Sequence, residues 1–256
     1  MKSMNLSSFL EAKRTLGAEQ FNRYLDYFGV ETREEECEDI CQFVEVLLSC
    51  GLNSEQLSEF FIGYSIPQIS KEFDLLRFGH NYNINIELKR EIVEEDKIKN
   101  QLIRNKYYLN ALDEPALIYS FIVQTREVYT LDGKDDQLIK TDLEKVKDVI
   151  EDQQFKIIEN IESLFKPSVY LVSPLNSTEK FLSGNYFLNS NQEEIKNNII
   201  KIFSGNSVPF IAIEGKPGTG KTLLTYDIAK HYMSEGWNVC LFHCGILAEG
   251  HETLRE

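Results

Sequence analysis

Residues 72–89 read EFDLLRFGHNYNINIELK, and this stretch decides what the first part of the chain is. Two short runs, EFDLLRF and YNINIELK, alternate apolar and polar residues on either side of Gly79-His80-Asn81, which is the pattern of a β-hairpin. A two-residue turn at His80-Asn81 pairs Gly79 with Tyr82. That register sets Asp74 directly opposite Glu87, with Cβ atoms roughly 4.5–5.5 Å apart on one face. Lys89 lies two residues beyond Glu87 and shares the face. Phe73, Leu75, Ile84, Ile86 and Leu88 form the opposite face, which can be buried.

Two like charges in that position destabilise a sheet unless something cationic sits between them. Oxygen ligands suit Mg²⁺ or Mn²⁺, with the Leu88 carbonyl as a further ligand beside Asp74 and Glu87. Such an ion lowers the pKa of a bound water and neutralises charge on a scissile phosphate, while Lys89 orients the water or stabilises the developing anion. The other reading the residues leave open is a solvated strand face with Lys89 paired to Glu87 or Asp74.

Outward from the hairpin, apolar spacing predicts helices over 5–28 and 37–50, and a third from an Asn53 or Ser54 cap to Phe61. After the hairpin come a helix over 94–112, a strand over 117–131 with Asp132-Gly133 as a turn, and a long acidic helix over 141–165. Helices over 190–203 and 221–235 and buried strands over 208–214 and 238–243 follow. That order belongs to a parallel α/β sheet.

The second decisive stretch is Gly215-Lys216-Pro217-Gly218-Thr219-Gly220-Lys221-Thr222, which fits G-x-x-x-x-G-K-[ST] between an apolar strand and a helix. Glycines let successive N–H groups of such a loop point into one concave nest, and the helix N-terminus adds its positive end. Lys221 bridges the β- and γ-phosphates of ATP in this arrangement, and the Thr222 hydroxyl ligates Mg²⁺. Only 34 residues follow Thr222, too few to supply the later acidic strand end and arginine of a working ATPase. The expectation is therefore the N-terminal part of a longer or truncated protein.

The chain has 256 residues and a formal charge of −14, from 27 basic and 41 acidic side chains, which argues against a whole-surface affinity for polyanions. The acidic field is interrupted over 70–110, where eight bases meet seven acids. No apolar run reaches the roughly 18 residues of a membrane span and the N-terminus lacks a signal-peptide pattern, so a cytoplasmic protein without membrane contact is expected. Five cysteines without a secretory signal read as reduced thiols, and their spacing gives no convincing zinc site.

Two resemblances add to this. Asp74, a hairpin, and Glu87-Leu88-Lys89 resemble the PD-(D/E)XK nuclease superfamily, although Phe73 stands where its proline would be. The resemblance implies a helix after the hairpin with a Gln or Lys facing the site, here Gln101. Tyr107 and Tyr108 follow on that helix, and Lys97, Lys99, Arg104 and Lys106 are available to phosphate. It also implies an upstream helix acid in the metal shell, with Glu45 and Glu59 as the choices. FIAIEGKPGTGKTLLTYDIAK, NVCLFHCG and FLNSNQEEIKNNII resemble the Schlafen group 3-like, superfamily 1-like P-loop helicases. In that group a glutamine ahead of the first strand reads the adenine edge, a place Gln192 matches.

Together they imply an α/β protein: a helical segment over 1–35, a restriction-endonuclease-like domain over 36–166, a linker over 167–185, and the first part of a P-loop NTPase parallel sheet over 186–256. The implied function is metal-dependent cleavage of DNA, or of RNA, coupled in the parent protein to ATP-driven translocation in antiphage defence or repair. Nucleic acid, ATP and a second copy of the chain are the expected partners. The rival is a non-catalytic sensor or assembly module attached to a P-loop ATPase.

Overall fold

The structure, a computed structural model, describes residues 1–66, 71–133, 135–165, 171–184, 186–203, 210–245 and 249–254. It is mixed α/β and divides into two compact units, Met1–Lys166 and Pro167–Glu256.

The first unit is built on an open sheet of six strands in sequential order: β1 (Phe61–Ile66), β2 (Lys71–Arg77), β3 (Asn83–Lys89), β4 (Ala116–Ile122), β5 (Glu127–Leu131) and β6 (Leu138–Thr141). All neighbours are antiparallel except β3 and β4, which run parallel because helix α4 (Glu95–Leu109) carries the chain across between them. The helices α1 (Leu6–Thr15), α2 (Ala18–Phe28) and α3 (Glu34–Ser49) share one core with Ile62, Leu75, Ile84, Ile86, Tyr119 and Phe121. The segment over 1–35 is thus part of this unit and has no core of its own. Helix α4 covers the other face, its Asn105 reaching Asn85 and Glu87 of β3.

The β2–β3 register is the one the hairpin pattern implies: Leu75 pairs with Ile86, Leu76 with Asn85 and Arg77 with Ile84. The expected helix over 5–28 is two helices, because Leu16 is extended and Gly17 starts a new N-terminus. Near 53–61 the Asn53 and Gln56 side chains cap a single turn, after which Phe60 bridges to Met4 and β1 begins. The expected strand over 117–131 is a hairpin, β4–β5, and β6 was not foreseen.

The acidic helix expected over 141–165 ends early, as α5 (Leu143–Asp152). Its last carbonyls are taken by side chains: Tyr82 donates its hydroxyl to Val149 O, at 2.9 Å, and the Arg77 guanidinium donates to Ile150 O. The chain then turns back along the hairpin loop, where the Lys156 N–H donates to Phe78 O at 2.9 Å. Gly79 permits this approach, since a Cβ there would lie 2.5 Å from Tyr82 O and 2.8 Å from Gln153 Cγ.

Arg77 is the hub of that junction. It is fully buried, donates to Gln56 O, Ile150 O and Gln153 Oε1, and lies over the Phe60 ring at 4.7 Å. It has no carboxylate partner among the described residues, and burial holds its guanidinium down to about 10.

The second unit contains α6 (Thr178–Leu182), α7 (Ser190–Phe203), α8 (Lys221–Ser234) and α9 (Glu249–Thr253). The expected linker over 167–185 thus carries a helix. The strands expected over 208–214 and 238–243 are not formed among the described residues; residues 208 and 209 lie outside them. A buried parallel strand needs paired strands on both sides and helices over both faces. None pairs with these segments among the described residues, and Phe210, Leu241 and Phe242 are exposed.

Removing the three-way donor at Arg77 strands buried carbonyls, so Arg77→Met is expected to cost about 3 kcal/mol or more in urea unfolding. Arg23→Ala, at an exposed ion pair with Glu19, is expected to change stability by no more than about 0.5 kcal/mol. Equal effects would contradict the role given to Arg77.

Candidate functional site

Strand β2 changes character at Asp74. Its ladder to β3 ends at Leu75–Ile86, and two residues further along β3 the Leu88 N–H donates to the Asp74 carboxylate at 2.7 Å. On its other side, Asp74 lies opposite Gly63 of β1, between the pairs Ile62–Leu75 and Tyr64–Phe73. Gly63 has φ of 65°, a left-handed conformation that glycine adopts without strain. The face alternation breaks here. Leu75 joins the α1–α3 core, whereas Phe73 packs on Phe165, ring centres 6.0 Å apart. The expected apolar face of Phe73, Leu75, Ile84, Ile86 and Leu88 is corrected to that extent.

Asp74, Leu88 and Lys89 line a cleft of about 240 Å³ together with Gly63, Glu72 and, from α3, Glu36. Glu87 is placed differently. It is 1% exposed and turns toward α4, where its Oε1 accepts from Asn105 Nδ2 at 2.7 Å and from Asn85 Nδ2 at 3.1 Å, and its Oε2 accepts from Gln101 Nε2. The two carboxylates are therefore not side by side on one open face, as register alone implies. They face each other's charge across the end of the ladder, at Leu88.

Burial and the Glu87 charge push the Asp74 carboxyl up to about 7, against the Leu88 N–H and the Lys89 and Lys71 ammonium groups. Burial pulls Lys71 below its usual range, opposed by Glu87 and Asp74. Lys89 makes no hydrogen bond or ion pair within 4.0 Å among the described residues, so the paired-lysine alternative is not what the structure contains.

The two helix acids that the sequence leaves open lie elsewhere. Glu45 pairs with Arg14 at 2.8 Å, and Glu59 accepts from Ser3 Oγ at 2.6 Å. Two α3 acids line the cleft instead, Asp39 and, with its carboxyl bound by Arg33 and Thr32, Glu36. Burial opposes its ionisation, yet the Arg33 N–H at 2.9 Å and the Thr32 hydroxyl at 2.8 Å hold its carboxyl below the usual range. Asp39 is bound by Arg90, which follows β3, at 3.1 Å. Of the basic set on α4, Lys97 pairs with Glu94 at 3.1 Å, Lys99 donates to Gln137 Oε1 at 2.9 Å, and Lys106 pairs with Asp136.

Asn85 and Asn105 escaped the sequence reading. The signal was there: Asn85 occupies a polar place in the NINIE alternation, and Gln101 and Asn105 lie four apart on one face of a helix.

The Asp74 and Glu87 carboxylates and the Leu88 carbonyl are oxygen donors, the chemistry that a hard divalent cation keeping several waters takes. No group of three or more His, Cys, Asp or Glu gathers among the described residues, so water and substrate oxygens would have to complete the shell.

In the second unit, Gly218 and Gly220 have φ of 81° and 77°, and α8 starts directly after Gly220. Lys221 Nζ donates to Gly215 O at 2.8 Å and Lys216 O at 2.9 Å, and Thr219 Oγ1 donates to Lys216 O at 2.9 Å. Gly215 and Pro217 complete the loop, and Thr222 is exposed in the first turn of the helix. Gln192 caps α7 by reciprocal bonds with Asn189 and donates to Thr219 O at 3.1 Å. It therefore touches the loop itself.

No protein-family model, curated protein or solved structure matches the chain.

Asp74 is protonated more readily folded than unfolded, where its pKa is roughly 3.9. The native state therefore binds more protons, and stability falls as pH rises from about 4 toward 7. Urea midpoints of wild type and Asp74→Asn, measured in chelator at pH 5 and pH 8, check this. The wild type is expected to lose more stability than the variant over that interval, and parallel losses would contradict it.

Proposed function

We propose that residues 1–166 form a metal-dependent phosphodiesterase of the PD-(D/E)XK kind, acting on DNA ahead of RNA. We propose further that the unit beginning at Pro167 binds ATP at its phosphate loop, as part of a nuclease–helicase fusion. One observation carries the first reading. The buried Glu87 and the partly buried Asp74 stand at the end of one ladder, Asp74 with an unpaired lysine ammonium, that of Lys89, in the adjoining cleft. The order α3–β1–β2–β3–α4–β4 supports it, since it puts acid, E-x-K and glutamine helix in the sequence that superfamily uses.

In this reading Asp74, Glu87 and the Leu88 carbonyl hold Mg²⁺ or Mn²⁺, which when bound supplies a water of lowered pKa and offsets charge on the phosphate. Gln101 and Asn105 keep the Glu87 carboxylate in place. Lys89, free of a carboxylate partner, orients the attacking water or stabilises the anion that forms on the phosphoryl oxygens. In the second unit, Lys221 exchanges the loop carbonyls for ATP phosphate oxygens, and the N–H groups at the start of α8 face the same anion. Gln192 braces the loop from α7.

The binding-module reading has an observation of its own: Lys97, Lys99 and Lys106 are engaged by Glu94, Gln137 and Asp136, which leaves less free positive charge for a phosphate backbone. The two readings part in one assay. Purified protein with Mg²⁺ or Mn²⁺ is expected to degrade DNA, and Lys89→Ala to lower the rate by about 100-fold with an unchanged melting temperature. Wild type inert toward single- and double-stranded DNA and RNA with either ion would leave only the binding module. Lys221→Ala is expected to abolish binding of a fluorescent ATP analogue, and unchanged binding would remove the nucleotide assignment.

A further inference from the structure

We propose that Asn105, together with Asn85, is a positioning residue that makes Glu87 a one-oxygen ligand and so selects Mg²⁺ or Mn²⁺ over Ca²⁺. This rests on the metal-dependent reading above and adds to it the device that discriminates between cations.

A carboxylate offers about four lone-pair sites, two on each oxygen. On Glu87 Oε1 both are taken, by Asn105 Nδ2 at 2.7 Å and Asn85 Nδ2 at 3.1 Å. On Oε2 one is taken by Gln101 Nε2. One site is left, and it belongs to Oε2. The clamp cannot yield easily, because its amides are themselves held. Asn105 Nδ2 also donates to Asn85 Oδ1 at 2.6 Å, and Asn85 Nδ2 also donates to the Leu75 carbonyl at 3.1 Å, beside Asp74. All three side chains are buried. Turning Oε1 toward a cation would break two buried charge-assisted hydrogen bonds.

Ca²⁺ takes 6–8 oxygens and commonly uses a carboxylate through both of its oxygens, whereas Mg²⁺ wants near-octahedral geometry with few carboxylate contacts and retained waters. A Glu87 limited to one oxygen suits the second ion. The amide cluster is also a poor way to fill space. Asn105 Oδ1 and Ser120 Oγ, the latter on the β4 residue paired with Glu87, are buried without a hydrogen-bond partner. Replacing Asn105 by an apolar residue of similar size removes one of those unsatisfied atoms.

Calorimetric titration of the full chain with MgCl₂ and with CaCl₂ tests the proposal on wild type, Asn105→Leu and Asn105→Ser. Wild type is expected to bind Mg²⁺ more tightly than Ca²⁺, and Asn105→Leu to reduce that preference by about tenfold, with Asn105→Ser between them. A thermal melt on each sample reports folding, and if Asn105→Leu lacks a native transition the Asn105→Ser ratio decides. Mg²⁺ binding with an unchanged ratio in the folded variants overturns the role of Asn105 and leaves the metal reading standing. Wild type that binds neither ion, or binds Mg²⁺ as well after Asp74→Asn, overturns both.

Discussion

The Leu88 N–H donated to the Asp74 carboxylate is the interaction on which the first unit's chemistry depends. In an antiparallel pair that N–H would belong to the backbone ladder or to solvent. Here a side chain takes it, the ladder stops two residues earlier at Ile86, and the strands part where Glu87 is buried. A charge buried to this degree must be compensated by hydrogen bonds or an opposite charge. Glu87 has three amide donors and Asp74 has one backbone N–H, with ammonium groups of Lys71 and Lys89 nearby. The compensation is partial: burial and the Glu87 charge still raise the Asp74 carboxyl above its usual range. Partial neutralisation of two acids is the electrostatic state that a divalent cation would complete.

The hairpin register was legible in the sequence because it follows from the local alternation, and Leu75–Ile86, Leu76–Asn85 and Arg77–Ile84 pair as that implies. The expected two-residue turn pairing Gly79 with Tyr82 does not form: toward the loop the ladder stops at Arg77–Ile84, and Gly79 bridges to Phe155 instead. Side-chain direction at Asp74 was not legible. It depends on Gly63 in the neighbouring strand and on the end of the ladder, both of them non-local. The helix acids failed for a related reason. Glu45 and Glu59 fit by residue type alone, whereas Glu36 and Asp39 reach the cleft through the way α3 packs, and the Glu36 carboxylate is used to start that helix. The early end of α5 likewise needs Arg77 and Tyr82, more than sixty positions upstream, to take its carbonyls.

In the second unit the glycine turns at Gly218 and Gly220 and the lysine that folds back on the 215–216 carbonyls are local features, which is why the sequence pattern over 215–222 picks out that loop. The sheet around it was not, since Phe210, Ile211, Leu241 and Phe242 satisfy the pattern of buried strands yet find no strand to pair with among the described residues. A strand's hydrophobic pattern says what it could bury, and only its neighbours decide whether it does.

The proposed chemistry of the first unit depends on whether the end of the β2–β3 ladder receives a cation. The most direct measurement is an anomalous difference map from crystals grown with Mn²⁺. The expected result is a peak bounded by Asp74, Glu87 Oε2 and the Leu88 carbonyl, with Asn85 and Asn105 still on Oε1. A map featureless there, with manganese bound at other sites and the Asp74–Leu88 contact unchanged, would contradict it.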